Sequence, residues 1–374
     1  MAEPLKIFMV GDLVLDEPNA DSFFDLSRGV LAQADLLVGH VEVPHTLRGV
    51  ESVGDVPAPA SAPENLAALG RAHFDVATLA GNHIHDRGSE GIEDTRSLLL
   101  AQGIAVTGAG RDLNEAREPA IVERGGRRIG VLSYNCVGPK EGFAEPGRAG
   151  CAYVRIIDAS GETCAPSATA AMTTAVDPPS LAALQGEVET LKRRCDLVIV
   201  AFHKGVVHTP AVLMTYERRL ARAALDAGAD IVTASHAHIL RGVETYRGKP
   251  IFHGLGNFVT VTRALSVEGN DSPVRKAWAE KRKQLFGFEP DPNYPTYAFH
   301  PEAKNAVIAT VEVGEDGKLT PGFIPCWITP TGAPEVLGPG KKFDAVAAYV
   351  ADITARAGMS TRFDRQGGRV TFSS

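Results

Sequence analysis

Short apolar runs that stop at polar or glycine-containing turns alternate with stretches of helical periodicity along most of this chain. Leu5–Val10 reads as a buried strand ending at Gly11-Asp12, and Leu36–Val41 as a second strand ending at Glu42. Between them Phe23, Phe24, Leu26, Val30 and Leu31 recur at helical spacing, which predicts a helix over 21–33. Residues 48–62 are rich in Gly, Pro, Ser and Ala and are expected to loop over the strand ends. Pro63 opens a helix to Arg71, Phe74–Ala80 is a third strand running into Gly81-Asn82-His83, and a helix over 89–102 turns Ile92, Leu99 and Leu100 inward.

Gly125-Gly126 between two β-rich runs predicts a hairpin over 119–134. Residues 138–177 are irregular and are expected to form a long active-site loop. A helix over 180–195 carries the apolar stripe Leu181, Leu184, Val188 and Leu191. The strand Leu197–Phe202 ends at His203-Lys204-Gly205, and a helix over about 211–227 is closed by Gly228. A strand at 230–234 then stops at Ser235-His236-Ala237-His238. A hairpin turns over Arg247-Gly248-Lys249 and leads to Gly256-Asn257. Residues 263–303 break this rhythm: they are charged and aromatic, and read as a lid-like insertion. A strand pair over 305–313 and 319–328, a helix over 344–357 and a strand at 370–372 complete the pattern. With no repeat and no linker, the expectation is one α/β domain over 1–374, built from two mixed sheets packed together and covered by helices.

Composition narrows the function. A net charge of -7 disfavours a nucleic-acid binder or a protein held to anionic lipid by charge. Five cysteines with no CxxC pair read as reduced packing thiols. The start MAEPLKIFMVGD lacks the charged and apolar regions of a leader or anchor, and no other run is long enough to span a membrane. A cytoplasmic protein without membrane or nucleic-acid partners is expected.

The chemistry lies at the strand ends. Asp12, Glu42, Asn82-His83, His203, and His236 with His238 each follow a predicted strand. Ligands of layered α/β folds gather outside the carboxyl ends of strands. Repeated imidazole and oxygen donors in that position point to a metal site, whereas a single one would be a capping or packing residue. His45, His208 and His253 are read as loop or packing residues. The aromatics Phe286, Phe288, Tyr294 and Tyr297 either line a pocket or pack the insertion.

The stretches Gly11-Asp12, Val41-Glu42, Gly81-Asn82-His83 with Asp86 and Gly88, Phe202-His203-Lys204-Gly205, Ser235-His236-Ala237-His238 and Gly254-Leu255-Gly256-Asn257-Phe258 span residues 11–258. In them the chain resembles the CapA family of poly-γ-glutamate and capsule-synthesis proteins, a branch of the calcineurin-like metallophosphatase superfamily. The resemblance implies a four-layer α/β/β/α sandwich and one or two divalent ions (Mn, Zn, Fe, Co or Ca). It implies that Glu42 bridges, that Asp12 and His238 complete one site, and that Asn82, His203 and His236 complete the other. His83 would stand beside the metals as acid or base, with His85, Asp86, Lys204 and Asn257 supporting the site or contacting substrate. Three departures stand out. Val14 replaces the His of the usual Asp-x-His, His40-Val41-Glu42 replaces Asn-x-Glu, and Ser235 replaces a Gly.

The family includes a metal-dependent epimerase of siamycin-type lasso-peptide biosynthesis, which inverts the Cα of a C-terminal Trp. The resemblance therefore implies a peptide or small-molecule substrate and peptide epimerisation as the leading activity. Hydrolysis of a phosphoester or γ-glutamyl/amide bond is the alternative, and non-catalytic capsule assembly a third. Inversion needs a Lewis acid beside the carbonyl and two positioned acid–base groups, for which His83 and the lid residue His300 are the candidates.

Overall fold

The computed structural model describes residues 3–52, 60–162, 174–266 and 273–374. Parts of the loops expected at 48–62, 138–177 and 263–303 thus lie outside the described residues. Among those described, the strands form one ten-stranded and one six-stranded mixed sheet, with two small two-stranded pairs beside them. The larger sheet is built around Leu5–Leu15, which pairs in parallel with Leu36–Val41 and Asn257–Val261 and antiparallel with Asn305–Val313. The smaller sheet runs Val243–Tyr246, Lys249–Phe252, Ile231–Ser235, Leu197–His203, Arg127–Asn135 and Ala120–Arg124 in that spatial order.

Alternation along the strands sorts their side chains into layers. Ile7, Met9 and Val38 of the larger sheet meet Ile129, Val131, Leu197 and Ile199 of the smaller one in a shared core. The intervening residues face outward: Phe8, Val10 and Leu37 pack with Leu69, Ile92 and Leu99. On the other side Leu132, Val198 and Val200 pack with Leu184, Val188 and Leu220. The helix Gly88–Ala101 covers the first outer face, and Pro178–Lys192 and Thr215–Asp226 cover the second. This is the mixed α/β sandwich with flanking helices that the alternation of elements implied.

Several local expectations need correction. Leu100 is 53% exposed, because it lies one residue, about 100° of helical turn, beyond the inward-facing Leu99. The helix expected over 21–33 is broken into a 3-10 turn, Ala20–Phe24, and one short turn, Arg28–Leu31. The insertion contains a helix, Pro273–Phe286, that its charged sequence did not announce. Arg282 of that helix is buried, donates to the carbonyls of Leu265 and Ala298, and lies over the rings of Trp278 and Phe288. Arg275 makes a two-oxygen contact at 2.9 Å with Glu51, tying the same helix to the opposite loop.

Candidate metal centre

The first strand does not end at Val10. It continues to Leu15, so Asp12 lies inside a strand and not beyond one. Its pairing breaks at that point: the register with Leu36–Val41 shifts between Met9 and Asp12, and that with Asn257–Val261 shifts between Asp12 and Leu13. Such a bulge re-aims a side chain, and Asp12 emerges with His40 and Asn257 as its two cross-strand partners. Gly11 permits this, since a Cβ there would stand 1.9 Å from the Gly256 carbonyl that accepts the Asp12 N–H.

Glu42 follows His40 by two residues at the end of the next strand, so both side chains leave on one face. His203 is the last residue of its strand, and Ser235 the last of the next. His236 and His238 have φ of 89° and 52°, a left-handed backbone that costs roughly 1–3 kcal/mol at a non-glycine residue and collects at functional sites. That turn aims both rings toward the strand ends.

The donors, buried except for the part-exposed His238, converge in two groups: Asp12, His40 and His203, and Asp12, Glu42 and His238, each with ligand atoms within 4.8 Å of one another. Asp12 belongs to both groups, beside Glu42, which the resemblance implied as the bridge. Glu42 Oε1 lies 3.3 Å from His238 Nε2 and 3.9 Å from His203 Nε2, between the two rings. His203 Nε2 is also 2.7 Å from Asn82 Oδ1 and 3.0 Å from His236 Nδ1. Bonds of about 2.0–2.2 Å to one ion put neighbouring ligand atoms about 3 Å apart, which is the spacing of these contacts.

Electrostatics favour the same conclusion. Burial, and then the charge of Glu42, pushes the Asp12 carboxyl well above the usual range. Burial holds His203 and His236 well below theirs, and His40 at about 3, so the rings are neutral and offer lone pairs. Among the described residues, Asp12 Oδ1, His40 Nε2 and His236 Nε2 are buried without a hydrogen-bond partner. Two adjoining carboxylates in such a place are costly without positive charge. Neutral imidazole, carboxylate and amide oxygen together fit a borderline divalent cation.

Around this cluster, His83 Nδ1 lies 2.7 Å from Asp86 Oδ2. Asn257 Oδ1 lies 2.9 Å from His238 Nδ1. Two expected residues face elsewhere. Lys204 Nζ is buried against Glu217 at 2.9 Å and the His253 carbonyl at 3.3 Å, so it braces the helix Thr215–Asp226. His85 sits by Gly142 and Arg148. His300 is half-buried on the lid, 5.0 Å from the Phe288 ring, and its Nδ1 accepts the Glu302 N–H at 3.1 Å.

Three residues escaped the sequence reading. His40 supplies a group-forming imidazole where Val14 offers none, and its i, i+2 spacing from Glu42 was the available signal. His208, read as a loop or packing residue, stacks 6.0 Å from the His238 ring, with Phe286 and Phe288 at 4.8 and 4.9 Å. Tyr297, read only as a possible pocket or packing ring, hydrogen-bonds Asn257. Nothing local in sequence marks these last two.

The chain is 27% identical over 265 residues to the PGA biosynthesis protein CapA of Bacillus subtilis, covering 68% of this chain and 63% of that protein. It is 33% identical over 204 residues to a probable polyglutamine synthesis accessory protein of Mycobacterium tuberculosis, covering 53% and 48%. The chain therefore spans between about half and three-fifths of these relatives. A putative 5'-nucleotidase from Staphylococcus aureus resembles it with a TM-score of 0.44 and 12% identity, over 93% of this chain and 58% of that one. The family model described as bacterial capsule synthesis protein PGA_cap matches residues 6–262, more than half of the sequence, and the chain belongs to that family.

Proposed function

We propose that this chain is a metal-dependent enzyme that inverts a Cα centre near the end of a peptide, with the C-terminal Trp of a lasso-peptide precursor as the leading substrate. The supporting observation is a pair of histidine–carboxylate neighbours, one on the rim of strand ends and one on the lid. On the rim, His83 Nδ1 lies 2.7 Å from Asp86 Oδ2, a contact that would orient the ring for proton exchange with substrate. On the lid, Glu302 is the carboxylate that opposes the depressing effect of burial on His300. Inversion requires one acid–base group on each face of the Cα, and His83 and His300 would fill those two roles.

A divalent ion held by Asp12, His40, Glu42, His203 and His238 would supply Lewis-acid stabilisation of charge on a substrate oxygen. The rings of Phe299 and His208, 5.0 and 6.0 Å from that of His238, would seat an aromatic side chain and limit water. Buried free thiols at Cys136, Cys151, Cys195 and Cys326 suit a cytoplasmic setting.

One observation favours a second reading, hydrolysis of a phosphoester or γ-glutamyl/amide bond. His300 Nδ1 is engaged by the Glu302 N–H, so it takes a proton only by releasing that bond, which leaves His83 alone poised. Hydrolysis needs one such group, and two ligand groups around a shared carboxylate suit two-ion cleavage.

Incubating the metal-loaded protein in deuterated water with peptides ending in an aromatic residue separates these readings. Deuterium at the terminal Cα without cleavage supports inversion, and H300A then loses the inverted product. Release of phosphate or a new amine overturns inversion in favour of hydrolysis. An intact metal site with no turnover overturns both and leaves an accessory role in polymer synthesis, as the names of the relatives describe.

A further inference from the structure

A string of hydrogen bonds runs from the lid to one of the candidate metal ligands, and its polarity is fixed at the lid end. The backbone carbonyl of Ala303 can only accept. Tyr297 Oη lies 2.7 Å from it and donates its single proton there. The phenol oxygen therefore has only lone pairs left for its second partner, the Asn257 side chain at 3.0 Å. The amide must present its NH₂ to Tyr297, and so its Oδ1 to His238. An amide oxygen only accepts, so at 2.9 Å His238 Nδ1 must carry the ring proton. Nε2, the nitrogen 3.3 Å from Glu42 Oε1, is left bare.

The corresponding brace on His203 has no such direction. Its Nδ1 lies 3.1 Å from the Ser235 hydroxyl, which can donate or accept. The lid string is also well protected: Tyr297 and Asn257 are 1% and 2% exposed.

We propose that Tyr297 is a positioning residue that sets the tautomer of His238 for metal binding, so that the lid, which lies beyond the family-matched residues 6–262, governs the affinity of the centre beneath it. The proposal rests on His238 being a metal ligand. Without the phenol hydroxyl the Asn257 amide is free to flip, offer its NH₂ to His238 Nδ1, and move the ring proton to the nitrogen a cation needs. Outer partners of this kind change metal affinity by about 10–100-fold.

The test is titration of metal-free protein with Mn²⁺ by calorimetry, for the wild type, Y297F, N257D and N257D/Y297F. Y297F is expected to weaken Mn²⁺ binding by about 10–100-fold. Asp at 257 has no donor to misdirect, so in that background the tyrosine change is expected to cost almost nothing. The double variant also lacks the Tyr297 hydroxyl at Ala303, so its recovery separates tautomer control from lost packing. Ring-nitrogen NMR of the metal-free proteins is expected to show His238 with its proton on Nδ1 in the wild type and a mixture of tautomers in Y297F. Equal Mn²⁺ affinity of wild type and Y297F, or an equal loss in the N257D background, overturns the proposal. Failure of the wild type itself to bind Mn²⁺ overturns the metal reading and this inference with it, a result distinct from binding that ignores Tyr297.

Discussion

The rim of strand ends and the lid above it are held by different physics. Rim residues are fixed by register: Asp12 stands between His40 and Asn257 because three parallel strands are paired that way, and long-range sheet hydrogen bonds enforce it. The lid is tied down largely by side chains, among them Arg282 on two carbonyls, Arg275 on Glu51, and the Tyr297 string. The family match stops at residue 262, where the lid begins. The candidate donors lie within the matched residues, and the lid lies beyond them.

The rim breaks most completely at Asp12. In D12N both ligand groups lose their shared carboxylate, so Mn²⁺ binding by calorimetry and turnover should fall to background. The metal-free variant should melt higher than the wild type, because a buried charge beside Glu42 is gone. Next is His83: H83A should bind metal normally yet turn over about 10²–10⁴-fold more slowly in steady-state assays.

Acid should separate the two regions. Burial lowers His45 and His253 to about 4. Below their unfolded value of about 6.5 the unfolded chain binds the extra proton, so their contribution is whole above pH 6.5 and is lost as pH falls toward 4, at roughly 3 kcal/mol each. Asp16, which takes the Thr262 hydroxyl at 2.6 Å where the lid joins the sheet, is raised to about 6 by burial. Its contribution has the opposite sign: it is whole below the ordinary aspartate value of 3.8 and lost as pH rises through 6. Denaturant melts of the metal-free protein between pH 4 and 7 should therefore show falling global stability, while hydrogen exchange near residue 262 is relatively protected.

Smaller effects should be confined to the lid. R282M leaves the Leu265 and Ala298 carbonyls without their donor, at about 1–3 kcal/mol, and hydrogen exchange should rise in the helix Pro273–Phe286 before it rises in the rim strands. E51Q removes a partly exposed ion pair worth about 1 kcal/mol or less. It should raise KM slightly, and high salt should abolish its difference from the wild type.

The same division explains what could be read from sequence. Strands that stop at a polar donor are local signals, and Glu42, His203 and Ser235 stand where apolar runs ended. The first strand misled because Gly11-Asp12 has the look of a turn, yet Leu13-Val14-Leu15 continues the strand by pairing with Asn257–Val261, far along the chain. Lys204, expected to support the site or contact substrate, is paired with Glu217 on the following helix, a partner that nothing local in sequence marks. His40 is legible in its i, i+2 spacing from Glu42. His208 and Tyr297 were not legible, since what distinguishes them is a contact with a histidine or an asparagine from another part of the fold.

The central claim is that these distant side chains grip a divalent cation around Asp12, and anomalous diffraction from crystals soaked in Mn²⁺ tests it most directly. The account predicts an anomalous peak within bonding distance of Asp12 and of at least one of His203 and His238. Density with no such peak there, or a peak held only by residues elsewhere in the molecule, would contradict it.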